Sequence, residues 1–169
     1  MARGDEEFAD FVRASSARLT HAAYLLTGDR HQAEDAAQTA FARTYAAWSR
    51  VRNKDAYGYA RTVLMNHVID GWRRPYRENP TDELPERPVG DDVEHLVTQR
   101  EWLTAVLATL TDRERAVVVL RHFFDLPEAD VAAELGVSLG TVKSTNSRAL
   151  VKLRVEADQD RTLIGGAGR

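Results

Sequence analysis

Between Gly136 and Arg154 the chain reads GVSLGTVKSTNSRALVKLR, with the cations Lys143, Arg148, Lys152 and Arg154, a run of short hydroxyl side chains, and no carboxylate. Cations neutralise phosphates, and an arginine can hold guanine O6 and N7 through two parallel bonds, worth about 1–3 kcal/mol of base discrimination. Short Ser and Thr side chains let a helix lie close to a groove floor. At about 100° per residue, Thr141, Ser144, Ser147, Arg148 and Val151 share one side of a helix, with Lys143 at its margin. Leu139, Val142, Leu150 and Leu153 take the opposite side. A surface helix of an ordinary domain mixes Glu with Lys to gain small ion-pair contributions. This one is suited to a polyanion.

Two other constellations lie upstream. The stretch AYGYARTVLMNHVIDGWRR carries Asn66, Asp70, Arg73 and Arg74, with Arg61 one turn earlier, and the loop before it supplies Arg50, Arg52 and Lys54. Arginines here suit backbone phosphates. Tyr57, Tyr59 and Trp72 are of the type that stacks on unpaired bases, although Tyr59 and Trp72 read more readily as core. Within AEDAAQTAFARTYAAW, Asp35, Gln38 and Phe41 fall at i, i+3 and i+6 on one broad helix side. Phe41 alone reads equally well as core or as contact surface. No nucleophile–base pair and no phosphate-cradling loop accompanies these residues, so neither an enzyme nor a small-molecule substrate is expected. Without cysteine, disulfides and thiolate metal sites are excluded, and the five histidines lack paired ligand spacing. No metal or cofactor is expected.

Helices must position these groups. Apolar residues from Phe8 to Leu26 recur at helical spacing, Gly28 is a stop signal, and Asp29 and Asp55 can cap two further helices. Val93, Leu96, Val97, Leu103, Val106, Leu107 and Leu110 form another stripe, after which Thr111 and Glu114 have the spacing of a capping box. Pro127 opens a short helix that buries Val131, Ala132 and Leu135, Gly136 supplies a left-handed turn, and Ser138 can cap the helix that follows. Helix, glycine turn and helix, with small Ala132 at the crossing, make a helix-turn-helix. No alternating strand pattern competes, and the fold class is all-α.

Between the helical halves, residues 75–92 hold four of the five prolines and six acidic against two basic side chains, which is the pattern of an extended, solvated linker. The expected organisation is a first helical domain over 1–74, a flexible Pro-rich acidic linker over 75–92, a second domain containing the helix-turn-helix over 93–157, and a disordered tail over 158–169. The N-terminal stretch is acidic where a secretion signal is basic and then apolar, and no apolar run reaches the roughly 18 residues that span a bilayer. A cytoplasmic protein without membrane insertion is expected.

With these residues in view, the chain resembles the small two-domain extracytoplasmic-function (ECF) group of bacterial RNA polymerase sigma factors. LTDRERAVVVLRHFFDLPEADVAAELGVSLGTVKSTNSRALVKLR is similar to that group's promoter-reading domain four, and GTVKS followed by RAL and LR is its most specific part. AEDAAQTAFARTYAAW resembles the polymerase-binding helix of domain two, and AYGYARTVLMNHVIDGWRR the adjoining helix that engages the melted promoter. The resemblance implies that Asp35, Gln38 and Phe41 meet core RNA polymerase. It implies that Arg61, Asn66, Asp70, Arg73 and Arg74 engage the single-stranded −10 element, and that Thr141, Lys143, Ser144, Ser147 and Arg148 read the duplex −35 element. An anti-sigma factor is a further partner class in view. Thr111, Thr39 and Asn146 depart from the usual family residues, Asn146 by standing on the inward side of the recognition helix. Family promoters place the two elements about 17 base pairs apart, or ~58 Å at 3.4 Å per pair; residues 75–92 reach ~60 Å fully extended. The AEDAAQTAF helix separates this reading from a stand-alone helix-turn-helix regulator, and sequence-dependent DNA binding separates it from a protein-interaction adaptor.

Overall fold

The computed structural model describes residues 3–74 and 99–165. The linker expected over 75–92 and the apolar positions Val93, Leu96 and Val97 lie outside the described residues. Every regular element among those described is helical.

In the first half, α1 (Arg3–Thr27) begins with Asp5 and Glu6, whose charges suit the positive end of a helix dipole. It stops where the Gly28 N–H bonds the Tyr24 carbonyl at a φ of +68°, a conformation that strains any residue with a Cβ. The Asp29 carboxylate accepts from the Gln32 N–H (2.9 Å) and starts α2 (Arg30–Ala46). The helix expected to run on through Trp48 breaks at Ala47, and the one-turn α3 (Trp48–Val51) tucks Trp48 and Val51 inward. Asp55 then caps α4 (Ala56–Arg73) through the Gly58 N–H (2.8 Å). Ala33, Ala36, Ala37 and Ala40 form the buried side of α2, and their small size lets α1 and α4 approach closely enough to bury Leu19, Leu26, Leu64 and Met65 completely. Trp48 closes the far end against Phe8 and Phe11.

The second half runs from α5 (Gln99–Leu107) into α6 (Asp112–Val118), which carries the full reciprocal capping box of Thr111 and Glu114. A π-helical turn, Val119–Phe123, follows. Next come α7 (Glu128–Leu135), a left-handed Gly136 at φ +65°, and α8 (Leu139–Gly165). Ser138 caps α8 by accepting from the Thr141 N–H (3.1 Å). Val131, Val142, Thr145 and Ala149 are buried where α7 and α8 meet.

Three expectations change. Leu139, placed on the buried side of the helical wheel, is 44% exposed, because it opens the first turn of α8 with no element packed over it. The disordered tail expected from residue 158 gives way to helix as far as Gly165, and within it Asp160 accepts a bond from Trp102 of α5. Asn146 is only partly buried, and its Oδ1 bonds His122 Nε2 (2.9 Å) across to the π turn, which is how a polar residue persists on that side of the helix.

The halves are not independent bodies. Their apolar residues form one continuous cluster from Leu19 to Ala149. Arg115 of α6 reaches between them, donating to the carbonyls of Leu107 (3.0 Å), Leu110 (2.9 Å) and Leu26 at the end of α1 (3.0 Å), with its guanidinium over Trp72. Burial pushes the Arg115 pKa down from its usual value, and Asp112 opposes that shift. Arg18 of α1 donates to the Phe123 carbonyl (2.6 Å) and lies over that ring. The π turn therefore serves the junction, because it aims Phe123 and Phe124 at α1 and α4.

Candidate nucleic-acid interface

The recognition surface follows from how α8 is anchored. Its inward side holds Val142, Thr145 and Ala149 with no exposure beyond 0%, which fixes the rotation of the helix. Lys143, Ser144, Ser147 and Arg148 then face solvent, with Thr141 half-buried at the capped end. The Thr141 hydroxyl bonds Ser138 (2.8 Å), the Ser144 hydroxyl donates to the Thr141 carbonyl (3.2 Å), and Arg148 extends beside Thr145 (3.4 Å). Among the described residues none of these side chains bonds a carboxylate, which leaves Lys143 and Arg148 suited to an anion. All five residues singled out in the sequence share one open face near the start of the helix, where base contacts are made in helix-turn-helix proteins.

Lys152 is different. Its Nζ donates to Oε1 of Glu114 (2.7 Å), which also accepts from the Thr111 N–H (3.0 Å). Burial pushes the Glu114 pKa up, but Lys152 and the Thr111 backbone and hydroxyl outweigh it, and the net shift is downward. This bridge fixes α8 to the start of α6 and orients the recognition helix.

On α4 the set divides. Asn66, Asp70 and Arg73 lie at i, i+4 and i+7 and are exposed together, with Arg74 exposed at the helix end. Arg61 does not join them. It faces the second half, where its Nε donates to both carboxylate oxygens of Glu134 on α7 (3.4 and 3.2 Å). Its side chain is 16% exposed and that of Glu134 only 6%. The neighbouring Thr62 hydroxyl donates to the same carboxylate (3.0 Å). Tyr57, one turn before Arg61, packs edge-on to Phe124, and burial raises its pKa against the opposing effect of Arg18. Tyr59 and Trp72 pack against the core, as their spacing suggested.

On α2, Asp35 and Gln38 are exposed, while Phe41 is half-buried with its ring edge-on to Phe11 (6.0 Å). Asp35 remains 71% exposed although its carboxylate meets His67 Nε2 (3.2 Å). The cross-half contacts of Arg18, Thr62, Arg115 and Glu134 escaped the sequence, since periodicity reports which side of a helix is apolar and not which helix comes to face it. Among the described residues no helix is long and apolar enough to cross a membrane.

Two helical halves, one a helix-turn-helix with an open basic face and the other bearing an exposed polar strip on α4, have the organisation of a two-domain DNA-binding protein. The family comparison specifies it. Residues 11–78 match the family model described as Sigma-70 region 2, and residues 100–153 that described as Sigma-70, region 4. The chain is 43% identical over 152 residues to the "RNA polymerase sigma-E factor" of Streptomyces coelicolor, covering 89% of this chain and 85% of that protein. It is 32% identical over 148 residues to the "ECF RNA polymerase sigma factor ShbA" of Streptomyces griseus, covering 79% and 76%. The sigma factor RpoE in its complex with the anti-sigma factor NepR from Bartonella quintana shares the fold, with a TM-score of 0.64 at 20% identity over 88% of this chain and 97% of that one. The chain belongs to the ECF group of RNA polymerase sigma factors. As such it binds core RNA polymerase and directs it to promoter DNA.

Proposed function

We propose that the two surfaces divide promoter reading as follows. The α8 face of Thr141, Lys143, Ser144, Ser147 and Arg148 enters the major groove of the −35 element, with Arg148 on a base edge and Lys143 on phosphate. The α4 strip of Asn66, Asp70, Arg73 and Arg74 takes the non-template strand of the melted −10 element. Asp35 and Gln38, with the edge of Phe41, meet the polymerase; charge there assists on-rate and register more than raw affinity. The single observation that carries this reading is the open, carboxylate-free face of α8, held in a fixed rotation by its buried side. Catalysis belongs to the polymerase, and the protein works where the polymerase does, in the cytoplasm. RpoE in the matched structure is bound to an anti-sigma factor, and a partner of that kind is proposed for this chain too.

The division is testable by separating the steps of initiation. Asn66→Ala should impair open-complex formation, read by permanganate reactivity of unpaired thymines, more than closed-complex binding. Equal losses in both would remove Asn66 from base capture. Asp35→Arg should reduce association with core polymerase while leaving −35 preference intact.

A further inference from the structure

Asp35 is an exposed carboxylate whose partner lies on another helix. Its Oδ2 accepts from Nε2 of His67 on α4 (3.2 Å). An ionised carboxylate only accepts, so the bond places the imidazole proton on Nε2. Among the described residues no other group bonds this carboxylate.

The tie follows from how closely α2 and α4 pack. Ala33, Ala36 and Ala40 line the buried side of α2, while Leu64 and Val68 face inward from α4. Small side chains on one helix bring the two backbones near each other. Asp35, next to Ala36, then meets His67, next to Val68, across a groove of about 310 Å³ that Gln32, Gly71 and Trp72 also line. The pair is asymmetric. The His67 side chain is 33% exposed, against 71% for Asp35. His67 is the seated partner, and Asp35 is the one that reaches solvent.

This asymmetry bears on recognition. An unrestrained aspartate on a helix surface samples several rotamers, and an interface that uses it selects one at a cost in affinity. A carboxylate held through one oxygen has its other oxygen directed to one side. An imidazole suits that work, because it has fewer torsions than a lysine and loses less freedom when seated.

We propose that His67 is a positioning residue for core polymerase binding: it holds Asp35 in one rotamer, with Oδ1 offered outward to a cationic group of the polymerase. The proposal rests on the assignment of Asp35 to the polymerase surface. His67 does not touch the polymerase in it, and acts only through the carboxylate. The sequence signals no such pairing, since 32 residues separate the two.

The test measures binding of the full-length chain to immobilised core polymerase, with a thermal melt of each variant to separate lost binding from lost folding. His67→Phe keeps a ring and removes the donor, and should weaken binding about three- to tenfold, the range set by freeing one side chain at an interface. His67→Gln returns an amide donor to that place and should restore binding to within about twofold of wild type. Asp35→Ala should weaken binding at least as much as His67→Phe. In the Asp35→Ala background His67→Phe should add nothing, as expected of a residue that acts through its partner. Equal weakening by His67→Phe in both backgrounds would overturn the positioning role, and so would a His67→Gln chain as weak as His67→Phe. Unchanged or tighter binding by His67→Phe, with Asp35→Ala still weakened, would overturn it while leaving Asp35 on the polymerase surface. Unchanged binding by Asp35→Ala would remove Asp35 from that surface, and the proposal with it.

Discussion

Helices α4 and α8 carry the same kinds of side chain, arginine beside threonine or serine, yet they meet the rest of the molecule differently. On α8 the cations at Lys143 and Arg148 bond no carboxylate among the described residues. On α4, Arg61 and Thr62 are held by Glu134, while Asn66, Asp70 and Arg73 look outward. The comparison shows that similar composition does not ensure similar exposure: the packing of a neighbouring helix leaves one set of donors open and covers the other. The exposed face of α8 is open in this structure. Part of α4 is covered by α7.

The sharpest way to break this comparison is to remove what holds the halves together. Arg115→Ala leaves the carbonyls of Leu26, Leu107 and Leu110 without their donor, and should cost about 2–4 kcal/mol in denaturant unfolding. Arg115→Lys, which cannot fork to three acceptors, should recover only part of that loss. Next in size is the open face itself. Arg148→Ala should relax discrimination among −35 variants by about 1–3 kcal/mol, measured by competition binding of the polymerase complex. An unchanged ranking would take Arg148 off the base edge. Lys143→Ala should weaken all sequences about equally and lower the salt slope of binding by about 1.

The smallest effect concerns the bridge that orients α8. Glu114 has its pKa lowered in the folded chain, so its ionised form stabilises the fold above the usual value of 4.5. That contribution is lost as pH falls below 4.5 through the lowered folded value. Glu114→Gln should therefore cost about 1 kcal/mol at neutral pH, and the deficit should shrink in thermal melts taken below pH 4.5. A deficit that grows on acidification would contradict the sign of the shift.

Much of the fold could be read before any coordinates. Asp29, Asp55, Thr111 and Ser138 cap helices where their sequence neighbours demanded, because a cap depends on residues within a turn of it. The glycine turn at Gly136 and the rotation of α8 were equally local, and the exposed face of α8 followed from them. What stayed hidden was longer in range. Nothing near Glu134 announces Arg61, which lies 73 residues away, and nothing near Arg115 announces the end of α1. Asn146 looked anomalous because a helical wheel carries no record of His122 on another element. Leu139 misled for the converse reason, since the wheel assumes a neighbour that the first turn of α8 lacks.

Promoter selection from a randomised library, transcribed in vitro with purified core polymerase, addresses the central claim most directly. With the wild-type chain, enriched templates should carry two separated elements, and none should be enriched without the chain. Arg148→Ala should blur the upstream element alone, and Asn66→Ala should lower yield of open complexes without altering that element. Enrichment of a single element, or blurring of both elements by Arg148→Ala, would contradict the division of promoter reading between α8 and α4.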